Sequence, residues 1–326
     1  MSIINTVRAT VLSIANKNNF GYITPNDFNL YAKQAQLDIF EDYFYQYNSW
    51  VVKQNARVSG SGYADILRGL VEVIDSFSET RGLTNTGINL FNLPEDYYLI
   101  NKINLYPNII TSSTTTAAAL NTLTDTNATF NNGSVLPGQI VYNSSLTSVS
   151  SGVSAYVISV DSATQLTLSA NPFGTAATIG NGYVIATTAG IREIERVSQN
   201  KIFYLNSSHL TSPTTSYPAY VLGGATAGTF GNTLTVYPTT ITISSGIVVS
   251  QYIRYPLDPN WTYSSLTGGE PVFDEGQADY QDFELPESDE PNIVNKILQY
   301  AGVSIREEQI VAFGQLQESE DNTQQN

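Results

Sequence analysis

Apolar residues at helical spacing mark both ends of the chain. Between residues 3 and 16 they fall on one stripe, which predicts a short amphipathic helix. Near the other end, Asp289 is placed to cap a longer helix, and Pro291 lies in its first turn, where a missing N–H costs nothing. The predicted inner face of that helix comprises Ile293, Ile297, Tyr300, Ala301, Ile305, Val311 and Phe313.

A second helix is predicted to begin at Thr24, with Pro25 at its first position and Asp27 reaching back as in a capping box. Its apolar side runs from Phe28 to Val51 and is too wide to be covered by one neighbour. Two interpretations stay open: a core helix of the same domain, or a helix that also contacts other copies of the chain. Under the second, the predicted subunit interface comprises Phe40, Phe44, Tyr47, Trp50, Ile297, Tyr300 and Ile305.

Strand-like alternation fills much of the remaining chain. Residues 63–77 form one further predicted helix, and residues 97–106 form the first long predicted strand. Later strands are predicted at 191–197, 202–205, 217–222, 233–237 and 247–255, and one more is predicted to end at Leu285-Pro286. The pattern predicts an α+β fold, with helices from both chain ends packed with a mostly antiparallel β-sheet.

The composition changes near Thr111, and almost no charge appears from there to about residue 188. Turn signals separate short strands in this segment, predicted at 139–143, 153–160, 165–169 and 182–187. We therefore expect residues 111–190 to be an inserted all-β module, a small barrel or an immunoglobulin-like domain. Its ends are expected to lie close together. Residues 1–110 and 191–326 would form one discontinuous parent domain.

The charge balance limits the functions that the sequence allows. The chain has 326 residues and a net charge of −15, which disfavours tight binding to nucleic-acid backbones. Residues 270–326 hold 14 of the 29 acidic residues against Lys296 and Arg306 alone. We expect some of these acids to face a channel lumen or an adjoining protein. The candidates are Asp274, Glu275, Asp279, Asp282, Glu287, Asp289 and Glu290.

Candidate chemistry is sparse. The chain has no cysteine and a single histidine, His209, so disulfides and multi-histidine metal sites are excluded. His209 lies in a Ser- and Thr-rich stretch without a nucleophile elbow. Gly223–Gly231 lacks the Lys-Ser/Thr of a phosphate-binding loop, and a long hairpin tip is the alternative. We predict no catalytic, cofactor-binding or metal site. Carboxylates at 274–284 leave a glycan-cleaving enzyme as a third hypothesis.

Three stretches carry a family resemblance: ITPNDFNLYAKQAQLDIFEDYF, LTVYPTTITISSGIVVSQYIRYPLDPNW and DFELPESDEPNIVNKILQYAGVSIREEQI. They resemble neck ring proteins, the head-to-tail connectors of crAss-like podoviruses. The resemblance covers about 1–110 and 191–326. It implies a structural virion protein, made in the host bacterial cytoplasm, that forms a ring of commonly twelve copies below the portal.

The resemblance also implies partners for this ring. They are further copies of the chain, the portal and other neck or tail rings, and DNA that passes through the channel without specific binding. No membrane contact is expected. The second hypothesis is a phage surface protein whose β module binds a receptor or glycan.

Overall fold

The structure is a computed structural model that describes residues 2–15, 23–56, 64–145, 154–173, 180–223, 232–242, 245–265 and 271–305. The chain divides into two compact units. Met1–Phe77 and Tyr255–Asn326 form the first, which we call the helical unit. Ser78–Arg254 form the second, the sheet unit.

The described helices are α1 (Ile3–Ala15), α2 (Pro25–Ala56), α3 (Ala64–Ser76), α4 (Gln199–Asn206) and α5 (Glu290–Ile305). The described strands are β1 (Ser78–Gly82), β2 (Thr84–Asn85), β3 (Leu90–Asn92), β4 (Tyr97–Tyr106), β5 (Ile109–Thr114), β6 (Ala117–Ala119), β7 (Thr122–Thr124), β8 (Ile140–Asn143), β9 (Ser154–Val160), β10 (Gln165–Leu168), β11 (Gly182–Ala186), β12 (Arg192–Glu193), β13 (Glu195–Arg196), β14 (Ala219–Leu222), β15 (Thr233–Tyr237), β16 (Ile247–Arg254), β17 (Tyr263–Ser265) and β18 (Pro271–Phe273). The mixed α+β class, with helices at both ends and mostly antiparallel sheets, is confirmed.

The helical unit joins the two ends of the chain, because α5 packs against both α1 and α2. The predicted cap of α2 is present: the Thr24 hydroxyl accepts the Asp27 N–H at 3.2 Å and donates to its carboxylate at 2.6 Å. A 3-10 turn, Glu287–Asp289, leads directly into α5, and Pro291 lies in the first turn as predicted. The predicted apolar residues Val311 and Phe313 lie outside the described residues. The buried apolar residues of the three helices include Ile4, Val7, Val11, Phe28, Ala32, Ala35, Phe40, Ile293, Ile297, Leu298 and Ala301.

Two strand predictions are wrong. Residues 202–205 belong to the helix α4, whose N-cap Ser198 accepts the Lys201 N–H. A four-residue apolar run fits either period, so the cap decides the structure. Residues 283–285 form no strand either. Phe283 and Leu285 are both buried because an extended chain sends alternate side chains to one side, without needing a sheet partner.

The sheet unit contains two smaller sheets beside the inserted module. One has the strand order β1-β16-β4-β12, and the other has the order β13-β14-β15-β3-β2. β13 and β14 run parallel, whereas the other described pairs of these sheets are antiparallel. One core cluster holds side chains from both sheets, among them Phe91, Ile103, Leu105, Leu234 and Val248.

The module is one seven-stranded antiparallel sheet of order β5-β11-β8-β9-β10-β7-β6. The predicted small barrel is wrong for the described strands, because β5 and β6 remain at open edges. The same order gives one continuous sheet and not the two facing sheets of an immunoglobulin-like domain. Leu123 on β7 and Ile185 on β11 share one core cluster, so the sheet bends around a core of its own. The ends of the module are adjacent, as expected, since Thr114 pairs with Gly182.

The module is also joined to the four-stranded sheet by buried contacts. Tyr142 of β8 packs in one cluster with Tyr106 of β4 and Val249 of β16. Its hydroxyl donates to the Leu83 carbonyl at 2.8 Å, and the Ser154 hydroxyl accepts the Gly82 N–H at 2.9 Å. The module therefore belongs to the compact sheet unit, and the predicted parent domain of 1–110 and 191–326 contains parts of both units. Independent folding of 111–190 stays a prediction.

The close packing at the junction between the module and the four-stranded sheet predicts the effect of a methyl group at Gly82. A Cβ there would lie 2.8 Å from a ring carbon of Tyr142 and 3.2 Å from the Ser154 Cβ. We expect Gly82→Ala to lower the free energy of unfolding by about 1–3 kcal/mol, the usual range for overpacking. Urea denaturation measures the change.

Gly69→Ala is the matched control, because nothing lies within 4 Å of a Cβ at this exposed position of α3. A helix-interior glycine costs about 1 kcal/mol relative to alanine, so this variant should gain stability. Equal effects of the two substitutions would contradict a tight junction at Gly82.

Candidate functional site

The predicted interface residues of α2 and α5 do not form one exposed surface. Phe40 and Ile297 are fully buried within the helical unit, so assigning them to a subunit interface is wrong. Phe44 is partly buried and packs edge-to-face on Phe40, with ring centroids 5.1 Å apart. Tyr47 is exposed and remains available for a contact. The side chains of Trp50 and Ile305 lie outside the described residues.

Two tyrosines bond to carboxylates and tie α2 to α5 and to the 3-10 turn that precedes it. The Tyr300 hydroxyl donates to Asp38, and the Tyr43 hydroxyl donates to Asp289. Burial raises the pKa of Asp289, and the nearby Asp42 carboxylate adds to the rise against a hydrogen bond from Asn292. Tyr300 and Asp289 were both predicted to face a partner. The structure uses them, at least in part, to hold the two helices together.

The seven predicted acids separate into structural and exposed groups. Asp274 accepts the Gly276 N–H and the Gln277 amide, and Asp279 accepts the Asn260 amide while remaining exposed. Glu275 and Glu287 are exposed, and Glu290 is half-buried. Glu287 and Glu290 border an open groove of about 520 Å³ between α1 and α5. Its lining also includes Thr10, Ser288, Pro291, Val294 and Asn295.

Asp282 has a structural role that its sequence position did not reveal. Its two carboxylate oxygens accept the N–H groups of Ile3 and Ile4 at 2.9 and 2.8 Å. These N–H groups open α1 and have no partner within that helix. A carboxylate is also favoured at the positive end of the helix dipole. Asp282 therefore caps α1 from a distant segment, and placing it in a lumen or at a neighbouring ring is wrong as its main role.

Two amides on α2, the buried Gln36 and the half-buried Asn29, were missed by the sequence analysis. Gln36 donates to the Leu257 carbonyl at 2.7 Å and accepts the Glu284 N–H at 3.1 Å. Asn29 accepts the Trp261 N–H at 2.9 Å. Their signal was available, because Gln36 lies one residue after Ala35 and three before Ile39 on a buried stripe. A polar side chain at such a position needs a hydrogen-bond partner.

An aromatic stack lies beside these amides, because Trp261, which Asn29 binds, is its central ring. Trp261 is buried and stacks on Tyr263 and Phe273, with ring centroids 5.6 and 6.0 Å apart. The Arg8 guanidinium lies 3.7 Å from the centroid of the Trp261 ring, which is the geometry of a cation–π contact. The indole N–H donates to Asn5 at 3.1 Å. The stack thereby fixes α1 to the segment that follows β16.

The sheet unit holds a balanced group of charges on neighbouring strands. Glu79 pairs with Arg81 at 2.9 Å and with Arg254 at 3.0 Å, and Arg81 lies 3.6 Å from Asp96. Tyr252 is buried there and donates to Asp96 at 3.0 Å. Burial raises the pKa of Tyr252, so the phenol stays protonated at neutral pH. Two cations face two carboxylates, which is the composition of a structural ion-pair network.

A buried carboxylate lies in the module. Asp125 is fully buried and accepts the Tyr183 hydroxyl at 2.8 Å and the Asn127 N–H at 2.9 Å. Burial alone would raise its pKa, but hydrogen bonds from Ser113, Tyr183 and the Asn127 N–H lower the pKa of Asp125 below its usual value. The ionised form is therefore the form that this pocket stabilises.

Other predicted features are placed as follows. His209 is exposed in the loop after α4. Within the described part of the chain, no three His, Cys, Asp or Glu side chains are grouped closely enough to hold a metal ion. No described helix is both long enough and apolar enough to cross a membrane. The hairpin tip predicted at 223–231 lies outside the described residues, apart from Gly223.

The two units differ sharply in charge. Ser78–Arg254 contain six Lys or Arg and seven Asp or Glu, so the sheet unit is nearly neutral. The helical unit contains eight Lys or Arg and 22 Asp or Glu, so it carries a net charge of −14. The excess of negative charge therefore belongs almost entirely to the unit that is built from both ends of the chain.

Comparison with known proteins adds no relative. No protein-family model matches the chain, and no curated protein matches it in sequence. The resemblance to neck ring proteins stays a prediction.

The capping role of Asp282 can be measured. We expect Asp282→Ala to lower the free energy of unfolding by about 1–2 kcal/mol, because two N–H groups of α1 lose their acceptor. Thermal unfolding followed by circular dichroism reports the change. Glu275→Ala removes an exposed carboxylate of the same segment and should change stability by less than about 0.5 kcal/mol. Equal melting temperatures would contradict the cap.

The module should lose stability in acid through Asp125. A carboxyl with a lowered folded pKa stabilises the fold fully above its unfolded pKa of about 3.9, and this stabilisation is lost as pH falls through the folded pKa. Asp125→Asn should remove about 1–3 kcal/mol at neutral pH, because the buried tyrosine loses a charged acceptor. Urea denaturation across the acid range measures both effects.

Asp161→Asn is the control for this prediction. Asp161 also accepts two hydroxyl hydrogen bonds within the module, from Ser159 and Thr167, but it lies on the surface. Its replacement should cost clearly less at neutral pH. If both variants lose the same stability, burial is not what makes Asp125 important.

Proposed function

We propose that the chain is a structural subunit of a ring in the neck of a tailed phage, below the portal, where it joins head to tail and conducts DNA. The observation that carries the proposal is the separation of charge between the two units. A nearly neutral sheet unit and a helical unit of net charge −14 suit a ring that needs one cohesive surface and one repulsive surface.

The repulsive surface would act on DNA through simple electrostatics. Each phosphate that a Lys or Arg neutralises releases counterions and strengthens binding, so a channel that must let DNA slide should avoid such contacts. Repeating the acidic unit around a ring multiplies its negative potential, and the potential keeps the duplex away from the wall. Of the seven predicted acids, those exposed for this role are Glu275, Asp279 and Glu287.

The helical unit would also contribute to subunit contacts, through apolar residues that it leaves uncovered. Leu30, Tyr45 and Tyr47 of α2 are exposed, unlike Phe40 on the same helix. Exposed aromatic residues are enriched at protein interfaces, where they supply much of the contact area. In this proposal, these exposed residues replace Phe40 and Ile297, which are buried, as the contact residues of the subunit interface.

The first measurement is the mass of the purified chain in solution, by sedimentation velocity or native mass spectrometry. We expect a closed assembly of many copies; the resemblance implies twelve. A chain that stays monomeric over the accessible concentration range would contradict the proposal, as would an open polymer without a defined mass.

The second measurement reverses charge on the acidic unit. We expect the variant Glu275→Lys with Glu287→Lys to retain duplex DNA that the wild-type ring does not retain, with affinity falling steeply as salt rises. Filter binding or gel shift measures retention, and the assembly mass confirms that the ring persists.

The matched control makes the same charge change on the sheet unit, with Glu95→Lys and Glu195→Lys, both exposed positions. Retention of DNA should be weaker in this control. Equal retention by both double variants would show that position is irrelevant and would remove the argument for an acidic channel wall.

A further inference from the structure

The sheet unit exposes an apolar patch on and after α4. Ile202 and Leu205 pack this helix on Val197, Ala219 and Val221. The neighbouring side chains point away from that core and are 79% exposed at Phe203, 74% at Tyr204, 96% at Leu210 and 83% at Tyr217. We call these four residues the α4 patch. All four lie within residues 203–217, and large exposed apolar side chains that form one patch mark an interaction site.

Local hydrogen bonds hold the backbone that carries the α4 patch. The Ser198 hydroxyl accepts the Lys201 N–H, and the Ser207 hydroxyl donates to the Tyr204 carbonyl at 2.6 Å. Thr211 donates to the Leu205 carbonyl at 3.0 Å, and Arg192 donates to the Thr215 carbonyl. The patch is thus displayed by a structured segment, and its exposure follows from the fold.

The segment that carries the α4 patch has a small net charge opposite in sign to that of the chain as a whole. Residues 192–217 contain three Arg or Lys against Glu193 and Glu195, which gives a net charge of +1 with His209 neutral. Glu195 lies close to the patch, because its N–H donates to the Pro218 carbonyl beside Tyr217. Arg196 and Lys201 are both exposed. An apolar surface with a small positive excess is complementary to an acidic surface, and the helical unit of the same protein provides one with a net charge of −14.

We propose that the α4 patch docks on the acidic helical unit of a second copy of this chain. A ring of more than two copies closes through a heterologous contact, in which two different surfaces meet. Two acidic helical units would repel each other, whereas the α4 patch and a helical unit attract. This inference rests on the proposed ring and names the surface that builds it.

The size of the α4 patch fits this role. Its three aromatic side chains bury about 150–250 Å² each, or roughly 450–750 Å² together. A standard interface buries about 800 Å² on each partner. Tyr is also enriched among the residues that dominate binding energy. The patch therefore supplies most of one side of a stable contact.

The experiment uses the full chain and two readouts. In the first, Phe203→Ser with Tyr204→Ser should raise the concentration at which half of the chain is assembled by about tenfold or more, because a few aromatic residues carry most of the binding energy of an interface. The control is Ile88→Ser, which removes a side chain as exposed as that of Tyr204. Ile88 lies between β2 and β3, whereas α4 packs on β14 toward the other edge of that sheet, so this variant should leave assembly unchanged. Lys201→Glu should weaken assembly further.

The second readout identifies the partner surface. Phe203 is replaced by the photo-crosslinking residue benzoylphenylalanine, and this protein is mixed with unmodified ¹⁵N-labelled chain before irradiation. Crosslinked peptides with one light and one heavy arm come from contacts between copies. We expect the heavy arm to lie within residues 2–77 or 255–305. The crosslinking experiment keeps an aromatic side chain at position 203, so it remains informative even if the serine variant misfolds.

Two results would overturn the inference alone. They are normal assembly of the serine variant, and heavy arms that fall only in the sheet unit; in both cases the ring stands and is built by another surface. If the wild-type chain does not assemble at all, the proposed ring and this inference fall together.

Discussion

The helical unit depends on one constraint. Its extended segment between Tyr255 and α5 has little strand pairing, so the backbone N–H and C=O groups of this segment need hydrogen-bond partners from side chains. Between Tyr255 and Asp289 the described strands are only β17 and β18, so the ladder hydrogen bonds of a sheet are mostly missing. Side chains replace them. Gln36 and Glu284 take up both backbone groups of Leu257, and Asn29 takes the Trp261 N–H. A buried polar group that loses its partner costs about 1–3 kcal/mol, so each of these side chains fixes the path of the segment.

The features that a local pattern decides could be predicted from the sequence. The helices α1, α2 and α5 are long and periodic, and Thr24 and Pro291 mark their starts, so local pattern was sufficient. Long strands such as β4 and β16 were predicted for the same reason. The four residues 202–205 fit two periods, and the Ser198 cap decided between them. Phe283 and Leu285 alternate as in a strand and are both buried, but they pair with no described strand.

The candidate surfaces were harder to predict because their outcome depends on distant residues. Helical spacing grouped Phe40 with Tyr47, yet it carries no information on which of them the same chain covers. Likewise, the sequence shows Asp282 as one acid among many. Its role depends on the N–H groups of Ile3 and Ile4, almost 280 positions away. Net charge was predictable by counting, whereas its confinement to one unit became visible only when the fold had divided the chain.

The joining of both chain ends in one unit has a consequence for the order of events during synthesis. The sheet unit, Ser78–Arg254, is a continuous stretch and can fold as soon as it leaves the ribosome. The helices α1 and α2 are made first, but their buried faces are fully covered only after the segment that follows Arg254, with α5, has been made. Until then the acidic unit is incomplete. A partly translated chain would therefore present a folded sheet unit without a finished helical unit, which delays any contact that needs both units until α5 has been made.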